Sequence, residues 1–418
     1  MLDTSNVFLT GVALEALSEW SDTLKSFQQK LGKHFARSEA RLAAFDYIQA
    51  LLSPVERKNG WQMAEQVGYV NPYRLQHLLG RAQWNADAVC AEIRQYAVEH
   101  LKSQTDILAI DETGFFKQGE QSVGVQVQYY GTTGHLENCQ VGVFMSYISD
   151  RGHTLIDRRL YLPRSWAEDQ SKRKKTAIPE SIEFATKPQL AIQMLESAFA
   201  QGIRPAWFVA DEVYGNDGSF WWWLEKTAKQ SYVLTVSKKQ PVVIGWQRYR
   251  AEELIPQKDS QQWQRLSCGT GSKGERYYDW ARVAVNCDRS FGFQRWLLFR
   301  RSLEHHEDPR ISYYQVFANS DTTLETMAHI AGQRWRIEEC FRFAKDSLGL
   351  GEYEVRSWHG WHRHITLVLA AQIFLTVLRH QTEPAIHQAT PPLSPVTTGS
   401  LAAFKAVRGL SSDSVFGR

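Results

Sequence analysis

Apolar residues recur at helical spacings of three and four through Ala40–Leu52 and Val89–Leu101. Between them, Gly60–Gly68 followed by Pro72–Leu79 has the outline of a helix-turn-helix. The first helix ends at a glycine, and the second starts behind a proline with Arg74, Gln76 and His77 on its exposed side. An ordinary helical hairpin in a bundle fits the same pattern. From about residue 105 the period changes. Asp106–Ile110, Val123–Tyr130, Gln140–Ser149 and Thr154–Tyr161 are rich in strand-forming residues and separated by turns such as Gly131-Thr132-Thr133-Gly134. A helix over Lys187–Gln201, a strand over Ala206–Ala210, a helix over Gly218–Gln230 and a strand over Tyr232–Val236 follow. Successive strands that give way to helix–strand alternation predict a mixed sheet with helices on its faces. Residues 238–312 are again strand-like and rich in turns, Tyr313–Ala318 is one more strand, and helices over Leu324–Leu348 and His362–Arg379 close the pattern.

This divides the chain into an all-helical region (1–102), the first part of an α/β core (103–237), a β-rich insertion (238–312), the last strand and closing helices of the core (313–380), and a poorly ordered tail rich in Pro and Ser (381–418). A hydrophobic fraction of 43% and a charged fraction of 22% belong to a folded protein rather than a disordered one. The net charge is only +3, so any case for nucleic acid rests on local clusters. The five cysteines are scattered with no Cys-x-x-Cys pair, which argues against a zinc ribbon or disulfide framework and for reduced thiols. Met1-Leu2-Asp3-Thr4 does not start a secretory leader, and Ile365–Leu378, interrupted by Gln372, is too short to span a bilayer. No membrane association and a cytoplasmic location, on the nucleoid when bound to DNA, are the expectation.

Two apolar runs end in an acid: Ile107–Ile110 at Asp111 and Trp207–Ala210 at Asp211, each followed by a glutamate. For either alone, a turn-forming or capping aspartate is the ordinary reading. Twice in the same setting, they look like placed carboxylates, whose common use is to hold divalent cations. A third acid lies in Arg334–Glu339. Ile337, Cys340, Phe341, Ala344 and Leu348 define a buried stripe, with Glu338 on its rim between Arg334 and Lys345, while Glu339 points away into solvent.

On these residues the chain resembles a transposase of the DDE superfamily, of the branch whose last acid lies in a Tyr-x2-Arg-x3-Glu-x6-Lys signature. Arg334, Glu338 and Lys345 fit that spacing, whereas Ala331 stands at the tyrosine position. The resemblance implies an RNase H-like mixed sheet, interrupted by the β-rich insertion and preceded by the all-helical domain. It implies metal-dependent cleavage at the ends of an insertion sequence and strand transfer by a two-metal mechanism. Asp111, Asp211 and Glu338 would be the catalytic metal ligands and Mg²⁺ the cofactor, with Mn²⁺ able to substitute. The implied partners are double-stranded DNA, both terminal inverted repeats and target, and a second copy of the chain in the synaptic complex. Alternatives are a domesticated or truncated transposase that only binds DNA, and a structure-selective nuclease of the same fold.

Other motifs add less. Arg334 and Lys345 are expected on phosphate, as are Lys172, Arg173, Lys174 and Lys175, a basic run expected in a loop. Gly269–Gly274 matches a dinucleotide-binding glycine pattern, but a strand rather than a helix follows it, so it reads as a hairpin loop. His359, His362 and His364 lack partners for a zinc site and are expected to cap a helix or contact phosphate. Trp221-Trp222-Trp223 is expected to pack in the core with one ring exposed.

Overall fold

The computed structural model describes residues 22–131, 134–257, 260–271, 274–287, 292–303 and 310–387. The helical region contains α1 (22–32), α2 (Ser38–Leu52), α3 (Gly60–Gln66), α4 (Tyr73–Gly80) and α5 (Ala86–Leu101). Asn59 caps α3 and Asn85 caps α5, each accepting two backbone N–H groups with its side chain. Gly68 leaves α3 with φ +85°, a left-handed conformation that glycine adopts freely. Arg74, Gln76 and His77 are all exposed on α4, as its helical period requires.

The core follows: β1 (Ile107–Phe116), β2 (Gln126–Tyr130), β3 (His135–Ser149), β4 (Gly152–Leu160), α6 (Arg164–Ala167), α7 (Gln170–Thr176), α8 (Lys187–Ala200), β5 (Trp207–Ala210), α9 (Glu212–Gly215), α10 (Gly218–Trp223) and β6 (Tyr232–Val236). A single turn of π-helix, Leu224–Ala228, extends α10. Then come the hairpin β7 (Pro241–Ile244) and β8 (Gln247–Arg250), strands β9 (Gln264–Gly271), β10 (Gly274–Val285), β11 (Phe293–Arg301) and β12 (Ile311–Asn319), and helices α11 (Leu324–Gln333), α12 (Trp335–Leu348) and α13 (Trp358–His387).

One ten-stranded sheet runs β2-β3-β1-β5-β6-β12-β11-β10-β9, with β4 on the outer edge of β3. β1, β5 and β6 are parallel neighbours, and the remaining pairings are antiparallel. The order β4-β3-β1-β5-β6, antiparallel then parallel, is the mixed sheet that an RNase H-like core demands. Strands β9–β11, expected in an insertion, extend this same sheet through β12, and β7–β8 forms a separate two-stranded sheet.

The helical region shares the hydrophobic core of the sheet. α13 packs on α2, α4, α5, α12 and β4 and ties these layers together. Its residues 365–371 are all buried, so this long apolar helix is a core helix. Its polar groups reach specific partners: Arg363 donates to the Leu79 and Trp84 carbonyls, and Gln372 to the Cys340 carbonyl at 3.0 Å. His364 is fully buried and bonds Tyr47 at 2.8 Å and the Gly349 carbonyl at 3.2 Å, so it is a core residue rather than a phosphate contact.

Two further expectations change. The helix expected over Leu324–Leu348 is two helices, α11 and α12, that meet at Arg334. Gly332, just before the junction, lies so close to β9 that a Cβ would sit 2.3 Å from the Cys268 carbonyl oxygen. The residues expected as a tail begin as the end of α13, while 388–418 lie outside the described residues. Among the tryptophans, Trp222 is the exposed ring and Trp223 stacks on Phe199, as expected. The five cysteines are unpaired.

Candidate catalytic acid site

Asp111 does not end its strand. β1 continues to Phe116 along β3, and it is the parallel pairing with β5 that stops, at Ile110 opposite Ala210. Asp111 and Asp211 are each the next residue. Adjacent strands lie roughly 4.8 Å apart, so equal register brings the two carboxylates together at the carboxyl edge of the sheet. Asp211 has left the sheet and caps α9, its Oδ1 accepting the Val213 N–H at 3.0 Å. Carboxylate oxygens of Asp111, Glu112 and Asp211 lie within 4.8 Å of one another.

Glu112 was not a site expectation, yet it belongs to this cluster. Its Oε1 accepts from Lys187 Nζ at 2.6 Å and its Oε2 from the buried Tyr214 hydroxyl at 3.0 Å. Lys187 is the first residue of α8, set by a Thr186–Gln189 capping box. The repeat of Asp-Glu in both strand-end contexts was the only sequence signal for Glu112; Lys187 and Tyr214 gave none, because tertiary packing alone brings them in.

Arg334 supplies the positive charge. Its Nη1 donates to Asp111 Oδ2 at 2.9 Å and its Nη2 to Glu338 Oε1 at 2.5 Å. The guanidinium thus bridges the strand acids to the third acid on α12. Burial would lower its pKa, but Asp111 and Glu338 carry it above the ordinary value. Asp111 is pushed up to about 7 by burial and by the nearby charges of Asp211 and Glu112, against the opposing pull of Arg334. Burial, then Glu112, raises Asp211 to about 6. Crowded, half-buried carboxylates that resist ionisation call for more positive charge than Arg334 and Lys187 give. Their all-oxygen donor set suits a hard divalent cation.

Lys345 lies further along β1, donating to the Gly114 carbonyl at 3.3 Å and lying near the Phe115 and Tyr130 rings. Glu339 departs from expectation: it is half-buried, and Arg336 at 2.9 Å and His153 at 3.4 Å hold it away from the acids. The cause is that α12 also packs on β4, which covers the face that its own stripe leaves polar. The basic run is a helix, α7, rather than a loop. Arg173 is buried there and donates to the Ala167, Ile182, Pro179 and Glu180 carbonyls, so it folds the 164–182 segment and is removed from the DNA-contact expectation. Lys174 and Lys175 are exposed, and Lys172 is half-buried beside Asp169 and Trp166.

The sequence pattern of the DDE superfamily endonucleases matches residues 30–296, which includes Asp111 and Asp211 and stops short of Glu338. A probable transposase for insertion sequence element IS701, from Microchaete diplosiphon, is 22% identical over 315 residues, covering 75% of this chain and 76% of that protein. The piggyBac transposase in its synaptic complex with hairpin DNA, solved by cryo-EM, is 10% identical, with 89% of this chain and 70% of that chain covered at a TM-score of 0.48. Family membership carries divalent-metal dependence and action on DNA with it. With its acids in register at the sheet edge, the chain belongs to the DDE superfamily of endonucleases and is a DNA transposase of the insertion-sequence kind.

Proposed function

We propose that this transposase cuts DNA at the ends of its element and joins the freed 3′ ends to target DNA, with Asp111, Asp211 and Glu338 as the ligands of two Mg²⁺ ions, replaceable by Mn²⁺. The observation that carries this reading is the register of Asp111 and Asp211 beyond the Ile110–Ala210 pair, with Arg334 joining Asp111 to Glu338. When bound, such a metal pair activates the attacking hydroxyl and stabilises the departing 3′ oxygen. The chain's own residues do the placing. β1 and β5 hold the two aspartates rigidly, and Lys187 and Tyr214 hold Glu112, so its charge stays fixed beside them. Arg334, once metal relieves it of the acids, would turn its guanidinium to a backbone phosphate, and Lys345 offers another cation along β1.

The exposed residues Arg74, Gln76 and His77 on α4 read the element ends. Lys172, Lys174 and Lys175 on α7 contact phosphate, and two copies of the chain act together on paired ends. The test is strand transfer in vitro: oligonucleotides with the sequence flanking the gene are joined to a plasmid in Mg²⁺. Asp111→Asn, Asp211→Asn and Glu338→Gln each abolish joining while end binding persists. Joining by any of the three variants at the unaltered rate removes that residue from the reading.

A further inference from the structure

A groove of about 1100 Å³ lies between the end of α4, the start of α5, β4, α8 and the start of α13. It is separate from the acid cluster but shares α8 with it. Gln189 and Gln193 of that helix line the groove, while its first residue, Lys187, holds Glu112. At the other end the groove opens at Gly80, the last residue of the helix that carries Arg74, Gln76 and His77.

Behind one lining residue, Asp87, lies an arginine with unmet donors. Arg158 is fully buried; its Nη1 donates to Asp87 Oδ1 at 2.9 Å, whereas its Nε and Nη2 have no hydrogen-bond partner. A guanidinium stays charged at any working pH, and buried donors without acceptors are rare in folded chains. Two carboxylates flank Arg158, the buried Asp157 at 3.6 Å and Asp87; Asp87 lines the groove with its side chain 73% exposed, so it is the one that can swing away. His362, on the groove wall, is buried and so held down to about 3, with the charge of Arg158 a second cause. Arg81 and Arg159 line the groove as well, Arg159 paired with the buried Asp157 at 3.0 Å, against Asp87 and Glu183. The half-buried rings of Phe184 and Trp358 also line it, Phe184 with Arg164 over its face at 4.3 Å and Trp358 packed beside His362. Cations interleaved with aromatic faces, in a space that takes a few nucleotides but not a duplex, are the features of a single-strand site.

We propose that this groove binds one DNA strand, with a backbone phosphate replacing the Asp87 carboxylate on Arg158. The inference rests on the reading of the chain as a DNA enzyme, and it adds a strand path between the end-reading helix and the acids.

The test uses the full chain and a fluorescent oligothymidylate, with anisotropy read across a salt series. Gly80 has open space where a Cβ would project, so side chains there leave the fold intact. Gly80→Glu is expected to weaken binding about five- to tenfold and to flatten the salt slope, while Gly80→Gln is neutral. Asp87→Asn, which removes the negative charge that competes with phosphate on Arg158, is expected to tighten binding severalfold. Equal affinities for the Glu and Gln variants, or Asp87→Asn binding no tighter than the parent at unchanged melting temperature, overturns the proposal. A groove that instead takes a peptide gives that same null result on oligothymidylate. Metal-dependent plasmid nicking by the parent chain tests the enzymatic reading separately: nicking with no effect at Gly80 sinks the groove alone.

Discussion

Arg334 is the only cation bonded to Asp111 and Glu338 among the described residues, and replacing it by methionine keeps its length while removing that charge. Ion pairs broken by loss of one partner cost ~3–5 kcal/mol when buried and ~0–1 kcal/mol when exposed. Arg334 is 25% exposed and Asp111 14%, between those limits and nearer the buried one. A loss of ~1–3 kcal/mol is therefore expected without metal, since part of the cost is escaped when Asp111 takes up a proton. At an unfolding entropy of ~2.1 cal/mol/K per residue, a chain of this length melts ~1–4 °C lower for that loss. Thermal unfolding of the Arg334→Met variant and the parent, in chelator and then in Mg²⁺, reads the effect. Divalent cations supply the missing charge, so the gap is expected to shrink by more than half with Mg²⁺. A variant that melts with the parent in chelator, or a gap that Mg²⁺ leaves unchanged, refutes the view that Arg334 balances the acids.

The raised values of Asp111 and Asp211, about 7 and about 6, mean that the folded, metal-free chain holds more protons than the unfolded chain above pH 3.8. Their contribution to stability is full below that pH and is lost as pH rises through 6 and 7, so metal-free melting temperature declines across this window. Metal binding at pH 6 releases protons, and calorimetry in buffers of different ionisation enthalpy detects them; release that does not diminish toward pH 8 contradicts the assignment. Gly215→Ala places a Cβ 1.9 Å from the Thr235 carbonyl oxygen, so α9 must shift off β6 and carry Asp211 with it. It is expected to cost ~1–3 kcal/mol in a denaturant titration and most of the strand-transfer activity. Glu339→Gln is expected to keep most activity, because Arg336 and His153 hold that side chain away from the acids, whereas Glu338→Gln loses it; the reverse order in the joining assay shifts the third acid to Glu339.

The period of the apolar residues revealed the strands β5 and β6, the helices α2, α5 and α8 within a few residues, and the first half of β1, because each buries one face against a common core. It also marked Asp111, Asp211 and the rim position of Glu338. What it could not reveal depends on pairing between distant segments. Whether β1 stops at Asp111 is decided by β3, which continues beside it, and no local signal records that partner. Glu339 looked solvent-facing because the stripe on α12 accounts for one packing surface, and β4 provides a second. Arg173 sat in a run of four basic residues that reads as a surface, yet its guanidinium has four carbonyls to satisfy inside the 164–182 segment. Lys187 and Tyr214 reach Glu112 across 75 and 102 residues of chain, a meeting that only the fold defines.

Asp111, Asp211 and Glu338 are proposed to face the same metal ions, and an iron ion bound there reads this directly. Loading the full chain with Fe²⁺ and adding ascorbate and peroxide generates hydroxyl radicals at the bound ion, which cut the backbone beside its ligands. Cuts are expected to cluster near residues 111, 211 and 338, segments far apart in sequence, and to be suppressed by excess Mg²⁺. Cuts near 111 and 211 alone remove Glu338 from the site, and cuts at none of the three rule out a metal site on these acids.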